Sequence, residues 1–577
     1  MVTETAVGTE PAQPTLHLER RRVLFIIGAL LLGMLLAALD QTVVATALPT
    51  IVGDLGGASH IAWIVTAYLL ASTVSTPLWG KLGDLYGRKQ FFQASIVIFL
   101  VGSAMSGLST SMGMLIVFRA LQGLGAGGLI VGAQAIIGDV VSPRERGKYQ
   151  GLFGAVFAVT TVVGPLLGGF LTQHASWRWV FYLNLPLGVL ALLVTAAVLP
   201  GNLHRIQQVV DYAGSVLLTL AATAFVLLAS LGGVTYPWMS APIYILGVAG
   251  MVLLGAWALV ERRAAEPILP LRLFGNRVFS ASSVIGFVVG FALFGAVTFL
   301  PVFLQVAKGV DPTTSGLQLL PLMGGMLVTS IVSGFLISRW GRYKVFPVVG
   351  SAVMTLGLYL LSTVTATSGP EMYLWMAILG LGLGGVMQVL VIAVQNAVEY
   401  HDLGVATAGA TFFRSIGGSC GTAIFGAIFA NVLRTRLAAN LHGITIPKNL
   451  GASVSPALLA HLPAPILHGV TSAYSSTIDT VFLVAVPVAG AAFLLTWLLP
   501  ELHLKTHAGA GPQAGAATDP GGPGGAGPGG AGAGGAGAGG GLSAGADDGA
   551  AGGGVGEAGA GVGEAGAGAG VGEAIVP

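Results

Sequence analysis

The chain has 577 residues, of which 54% are hydrophobic and only 8% charged, with a mean hydropathy of +0.84. Soluble chains carry about 25% charged residues, so this composition excludes a soluble protein, and with it overall disorder or a collagen. The formal charge of +2 hides a split: every ionising residue from Ala508 onward is acidic (Asp519, Asp547, Asp548, Glu557, Glu564, Glu573), and the rest of the chain carries +8.

In chain order, residues 1–22 form a polar segment ending in Arg20-Arg21-Arg22. These arginines, the apolar stretch after them and Ala45-Thr46-Ala47 also fit a secretory signal, but Asp40 interrupts the stretch where a cleavage signal tolerates charge poorly. A bilayer-spanning helix needs roughly 20 mostly apolar residues. Fourteen runs of about that length follow, at 23–48, 61–79, 92–109, 113–138, 149–172, 180–199, 213–231, 242–260, 279–304, 317–337, 345–365, 372–398, 405–430 and 478–499. The expected class is an all-α polytopic membrane protein.

A charge at membrane depth costs at least ~2.5–3.5 kcal/mol unless it faces a cavity or a partner. The first run holds such a charge, Asp40, a carboxylate in low dielectric and therefore a candidate for proton exchange. The competing reading is a carboxylate snorkelling from the helix end, since Pro49 follows closely. After the second run, Gly80-Lys81-Leu82-Gly83-Asp84-Leu85-Tyr86-Gly87-Arg88-Lys89 combines glycines for a tight turn, one acid, and a basic pair at headgroup level. An Asp beside the N-terminal end of the following helix and near Arg88 can form a charge-assisted latch at this end of the helices. Anchoring at the headgroups explains Arg88 and Lys89 but neither Asp84 nor the glycine spacing.

The fourth run holds Arg119. Guanidinium stays protonated, so Arg119 either sets the proton affinity of a carboxylate, orients water and carbonyls, or is structural. Gly123-Leu124-Gly125-Ala126-Gly127-Gly128 formally fits the dinucleotide pattern G-x-G-x-x-G, but it lies inside an apolar run with no βαβ pattern around it, so small-residue helix packing accounts for it. The fifth run carries Gly164-Pro165-Leu166-Leu167-Gly168-Gly169. Pro165 removes a helical hydrogen bond, while Gly164 and Gly168 let a neighbouring backbone approach, giving either a bendable seam or plain tight packing. Arg414 in the thirteenth run is open between a substrate or coupling role and a structural one. The loop 431–477 is long, polar and proline-punctuated, with room for an interfacial helix. The Gly/Ala tract after His507 has almost nothing to bury and is expected to be disordered, with no part in transport.

Cytoplasmic loops hold the excess of Lys and Arg. With the N-terminus inside, Arg178, Lys308, Arg434, Arg436 and Lys448 fall outside, Arg119 and Arg414 lie within runs, and the other eighteen of the 25 basic residues are cytoplasmic. Both termini are then cytoplasmic. The segment Gly80–Lys89 has an echo at Gly334–Lys344, offset by 254 positions, and Gly123–Gly128 has one at Gly380–Gly385, offset by 257, where Gly147 also meets Gly404 and Gly164 meets Gly421. The expected organisation is a cytoplasmic segment 1–22, a six-helix half 23–199, two inserted helices with their loops at 200–277, a second six-helix half 278–500 containing the extracytoplasmic loop 431–477, and a cytoplasmic tail 501–577. Repeats about an axis along the membrane normal place a substrate site between the halves. The single cysteine, Cys420, permits no intrachain disulfide, and no metal spacing or Walker-type G-x-x-x-x-G-K-[ST] occurs. Enzymatic chemistry, ATP drive, cofactors and nucleic-acid binding are not expected.

These motifs resemble the major facilitator superfamily. Gly80-x-Leu82-x-Asp84-x-x-Gly87-Arg88-Lys89 looks like its signature loop, Arg119-Ala120-Leu121-Gln122-Gly123 is similar to its fourth-helix motif, and Gly164-Pro165-x-x-Gly168-Gly169 to its antiporter motif. Leu39–Pro49 and Trp177–Pro186 resemble the fourteen-helix drug:proton antiporter branch. The resemblance implies the major facilitator fold and proton-driven export of hydrophobic or amphipathic, often cationic drugs from a bacterial-type plasma membrane by a monomer. It also implies Asp40 and Arg119 in proton coupling, and Asp84 in gating. Three residues depart from the pattern: Ala45 where Asn is common, Thr160 at a usual glycine, and Ser338 in place of the second-half Asp, which leaves a second latch in doubt. The same motifs also permit an exporter or importer of one dedicated metabolite, and the composition alone would allow a non-transporting scaffold or sensor.

Overall fold

The computed structural model describes residues 20–55, 61–199, 211–233, 235–264, 266–310, 312–365, 368–440 and 463–504. The N-terminal segment, the Gly/Ala tail and the middle of the 431–477 loop lie outside the described residues. Among the described residues the chain is helical, with one isolated bridge between Gly232 and Tyr236 and no strand. The helices are α1 (Arg20–Leu55), α2 (Ile61–Tyr86), α3 (Arg88–Gly107), α4 (Met112–Val140), α5 (Pro143–His174), α6 (Trp179–Tyr182), α7 (Asn184–Val198), α8 (Tyr212–Leu231) and α9 (Ala241–Glu261). They continue with α10 (Arg272–Gly275), α11 (Arg277–Val297), α12 (Leu300–Val302), α13 (Pro312–Gln318), α14 (Leu320–Trp340), α15 (Val345–Leu361), α16 (Glu371–Ala397), α17 (Leu403–Asn440) and α18 (Ala464–Trp497).

Each apolar run falls on these helices. Among the described residues eleven helices are long and apolar enough to cross a membrane, and two more apolar helices, at Arg277–Leu293 and Val345–Leu361, are shorter. The expected long loop at 431–477 is partly helix, because α17 continues to Asn440 and α18 already begins at Ala464. Hydropathy marks where lipid ends, whereas a helix persists through good formers such as Arg434, Leu437 and Ala438.

The boundaries follow local chemistry. Ser111 caps α4 by accepting from the Met114 N–H, and Asp211 caps α8 by accepting from the Gly214 N–H. Gly87 (φ 108) and Gly341 (φ 72) turn the chain after α2 and α14 in conformations that side chains rarely adopt. These two glycines are 254 positions apart, the offset of the sequence echo.

The glycine runs show the same duplication in packing. Gly123 and Gly127 lie against the backbone of Tyr68 and Ser72 on α2, while Gly125 and Gly128 lie against Phe99 and Ser95 on α3. In the echo, Gly380 and Gly384 lie against Leu322 and Met326 on α14, and Gly382 and Gly385 against Met354 and Gly350 on α15. A methyl group at these positions would strike a neighbouring helix, so the pattern serves close helix approach. One apolar core gathers α1, α3, α4, α5 and α7 around Ile26, Phe92, Phe99, Leu129 and Phe153. A second gathers α11, α14, α15, α16 and α18 around Ile285, Leu322, Met354, Leu383 and Phe482. The helices α8 and α9 bring Leu218, Ala222 and Trp257 into a third cluster with Val74 of α2 and Val405 and Ala406 of α17.

Candidate functional site

Asp40 is 1% exposed, halfway along α1. Three donors from two other helices converge on its carboxylate: Arg119 Nη1 at 2.5 Å, Gln122 Nε2 at 2.8 Å and Asn184 Nδ2 at 3.0 Å. The spacing of Arg119 and Gln122 (i, i+3) puts both on one face of α4. Arg119 Nη1 also donates to Gln122 Oε1 at 2.8 Å, and its Nε donates to the Ile64 carbonyl at 3.4 Å. Its guanidinium carbon lies 4.2 Å from the Tyr68 ring centroid and 5.8 Å from that of Phe181. The remaining Asn184 amide hydrogen reaches Ser103 Oγ at 3.0 Å, and Ser103 donates to the Phe181 carbonyl at 2.8 Å. The competing reading, a carboxylate snorkelling from the helix end, does not hold: the Asp40 side chain turns inward to three donors. A buried ion pair of this kind is costly to break on one side, ~3–5 kcal/mol.

Asp40 and Arg119 were legible as charges inside apolar runs. Gln122 and Asn184 lay within the quoted motifs but were given no role, and for Ser103 and Tyr68 the sequence signal is a polar group in an otherwise apolar stretch.

The antiporter-motif segment packs beside this pair. Gly164 and Gly168 of α5 meet Thr42 and Thr46 of α1, so close that a Cβ on either glycine would collide with the threonine hydroxyl. Thr42 Oγ1 donates across the seam to the Thr160 carbonyl at 2.9 Å. Pro165 lies inside α5, and a Cβ on Gly316 of α13 would be 3.5 Å from its ring. Gly169 is half-buried next to Gly168. Gly164 and Gly168 thus make the close helix approach that either reading requires.

The second part of the site is the end of the bundle that carries Gly80–Lys89. Arg88 Nη2 meets Asp84 Oδ1 at 2.7 Å, and its Nη1 meets Asp139 Oδ1 at 2.9 Å and the Ala135 carbonyl at 2.5 Å. The other Asp84 oxygen accepts from the Val405 N–H at 2.8 Å. The latch thus corrects the sequence expectation in one respect: Asp84 caps α17, 321 positions away, and not the following helix α3. The first-turn N–H groups of a helix and its dipole favour an anion there. Gly404 leaves room for the carboxylate, because a Cβ would sit on Asp84 Oδ1. Gly80 packs on the same helix, with a Cβ only 2.8 Å from the Gly404 carbonyl. Lys89 takes no part; its ammonium donates to the Ala196 and Leu199 carbonyls at 2.7 Å, ending α7.

The matching contact of the echo joins α5 to α14, where Gly147 and Gly334 press on each other's carbonyls. Here Ser338 and Asn396 stand at the positions that match Asp84 and Asp139. Ser338 donates to the Gly334 carbonyl of its own helix at 2.9 Å, Asn396 stands 257 positions after Asp139, and Arg342 reaches out to Glu501 at 4.0 Å. One of the two duplicated contacts carries the Asp84–Arg88–Asp139 ion pairs, and the other brings the Gly147 and Gly334 backbones together.

At the opposite end of α1, Asp54 accepts from Trp177 Nε1 at 2.7 Å and pairs with Arg178 at 3.1 Å. These two donors hold its carboxyl below the usual aspartate range. Arg414 lies on α17 with no hydrogen bond or ion pair to any described residue, its stem seated against Gly286 and Gly290 of α11. No group of metal-ligating residues occurs among the described residues.

An Asp84→Ala change removes the cap on α17 and one partner of Arg88. With two spin labels at Lys148→Cys and Trp340→Cys in a Cys420→Ser background, the population with this end separated should rise about tenfold, the equivalent of ~1.4 kcal/mol. An unchanged distance distribution would remove Asp84 from the latch.

A sequence model of the Major Facilitator Superfamily matches residues 30–422. An uncharacterized MFS-type transporter of Mycobacterium tuberculosis is 46% identical over 510 residues, covering 87% of this chain and 74% of that protein. In Bacillus subtilis, the multidrug transporter protein MdtP is 41% identical (71% of this chain, 76% of the relative), and multidrug resistance protein 3 is 35% identical (84% and 96%). The human organic anion transporter TETRAN shares the fold at a TM-score of 0.56 and 14% identity, covering 81% of this chain and 99% of its own. The proton:xylose symporter XylE does so at 0.55 and 13%, covering 83% and 96%.

Proposed function

Because this chain belongs to the Major Facilitator Superfamily, a family of membrane transporters, we propose that it is a proton-coupled exporter of hydrophobic or amphipathic drug-like compounds, working by alternating access in a bacterial-type plasma membrane. The observation that carries this reading is the buried Asp40 with Arg119, Gln122 and Asn184 around it. All three partners are donors, which suits an acceptor-only carboxylate. A proton arriving on Asp40 removes the charge that holds Arg119, so proton binding weakens this pair and is tied to movement among α1, α4 and α7. The neighbouring seam at Thr42 and Gly164 carries that movement to α5, which touches α14 at Gly147. Relatives named as multidrug transporters support the cargo class.

In this reading the chain has fourteen spans, two six-helix halves at 23–199 and 278–500 and two inserted helices within 200–277. The paired glycine seams and the two isolated cores support the halves. Both termini are cytoplasmic, on the count of basic residues, so the Asp84 end is the cytoplasmic gate and is closed in this conformation. The protein acts as a monomer, and the tail from Ala508 is dispensable. The proton gradient supplies about 2.3 kcal/mol per charge per 100 mV of potential, besides the pH difference.

The test is export of a panel of fluorescent amphipathic compounds from a pump-deficient bacterial host, with and without a protonophore. Protonophore-sensitive export of several panel members is expected; export that survives collapse of the gradient would reject the coupling. Arg119→Lys separates the two readings of that arginine. Lysine is a mobile point charge and cannot hold Asp40, Gln122 and the Ile64 carbonyl with one planar fork. The variant should reach the membrane and bind cargo in proteoliposomes yet lose at least ~90% of gradient-driven transport per folded molecule, the effect of ~1.4 kcal/mol or more. Normal transport would make Arg119 structural.

A further inference from the structure

We propose that Arg414 anchors an acidic group of the cargo, so that the transported class includes hydrophobic organic acids carrying a carboxylate; this rests on the exporter reading above and narrows its cargo. The contrast with Arg119 is direct. Arg119 satisfies its guanidinium with a carboxylate, an amide oxygen, a backbone carbonyl and two ring faces. Arg414 makes no hydrogen bond, ion pair or cation–π contact among the described residues. A guanidinium offers five donors, and at membrane depth such a group points to a water-filled path or a substrate site.

Its position fits a substrate site. Arg414 is nine residues along α17 from Val405, whose N–H meets Asp84, and at 1.5 Å per residue that places it about 14 Å above the latch. The intervening face is closed. Thr411, one turn below, donates to Gln134 Oε1 of α4 at 3.3 Å, and Gln395 Nε2 of α16 donates to the Gln134 carbonyl at 3.1 Å. Residues 403–412 of α17 are buried without exception, whereas 413–416, which sweep most of a turn, are each partly exposed. Side-chain exposure therefore reappears on α17 at the level of Arg414, about one turn above the bond between Thr411 and Gln134. The stem of Arg414 fits against α11 because Gly286 and Gly290 carry no side chain there. Asp40 and Arg119 neutralise each other, and the Asp84–Arg88–Asp139 cluster lies below the floor. Arg414 carries a charge with no charged partner among the described residues, and such a charge attracts an anion and repels a cation. A carboxylate also matches the guanidinium fork in two parallel hydrogen bonds.

The test uses three probes with one ring system: 2-naphthylacetate, 2-naphthylacetamide and (2-naphthylmethyl)trimethylammonium. Their affinities for the purified full-length protein are measured by equilibrium dialysis, for the native sequence, Arg414→Gln and Arg414→Lys. The native protein should bind the acetate about 10- to 100-fold more tightly than the amide and the cation. The ratio of acetate to amide affinity should collapse to near one in Arg414→Gln and recover partly in Arg414→Lys. A general folding defect would weaken both probes and leave the ratio in place. A native ratio near one, a preference for the cation, failure to bind any of the three, or an Arg414→Gln variant that keeps the preference would each overturn the proposal. In parallel, protonophore-sensitive export of the ammonium probe without acetate binding would leave proton-coupled export standing while the acidic cargo falls. Acetate binding that follows Arg414 without any gradient-driven flux would do the reverse.

Discussion

Asp40→Asn should abolish gradient-driven export while leaving the protein in the membrane at near-normal amounts. Asparagine has the same size and keeps an oxygen for Arg119 to meet at the 2.5 Å position. It replaces the second oxygen, however, by an amine that faces the donors of Gln122 and Asn184. It also leaves Arg119 without a counter-charge, so some stability is lost, on the order of 3 kcal/mol. The decisive loss is chemical, because an amide cannot take up and release a proton in the physiological range. In proteoliposomes with an imposed pH gradient, uphill transport should fall at least ~100-fold, about 2.7 kcal/mol, with cargo binding changed far less. Full uphill transport by the variant would remove Asp40 from coupling.

The second large effect is steric. Gly147 and Gly334 meet backbone to backbone, and a Cβ on Gly334 would fall on the Gly147 carbonyl. Backbone cannot step aside as a flexible side chain can, so Gly334→Val should prevent α5 and α14 from closing. Gly80→Val should do the same at the duplicated contact, where a Cβ lies 2.5 Å from the Ala408 Cβ. Both variants should hold the latch end open in the spin-label measurement at Lys148 and Trp340, and both should lose at least ~100-fold in transport, since a transporter unable to close one side cannot cycle. Valine is tolerated in membrane helices, so insertion should persist. A normal closed distance together with normal transport in either variant would contradict the role given to these seams.

Much of this arrangement was legible in the sequence because lipid is an unforgiving solvent. Apolar runs fell on helices, and the charges that broke those runs, Asp40 and Arg119, proved to be each other's partners. The glycine echo at 254 and 257 positions predicted duplicated seams, since a glycine kept at helix spacing has few uses in a membrane helix beyond close approach. Partners distant in the chain were not legible. Nothing near Asp84 indicates that its second oxygen caps α17, and Asp139 at the end of α4 looks like an ordinary helix-terminal acid. The bonds of Gln122 and Asn184 to Asp40 escaped for a different reason, although both residues lie in the quoted motifs. An amide in an apolar run costs less than a charge, so its presence signals less, although here it completes the coordination of the charge. The reach of α17 and α18 into the 431–477 loop escaped because hydropathy reports lipid contact and not helix length.

The central claim is that Asp40 exchanges a proton as cargo binds or leaves. The most direct measurement is proton release by the purified protein in weakly buffered detergent solution, followed with a pH-indicator dye as a transported amphipathic compound is added at saturating concentration. The native protein should release protons on binding, and Asp40→Asn should bind the same compound without release. Equal proton release from Asp40→Asn would contradict the account.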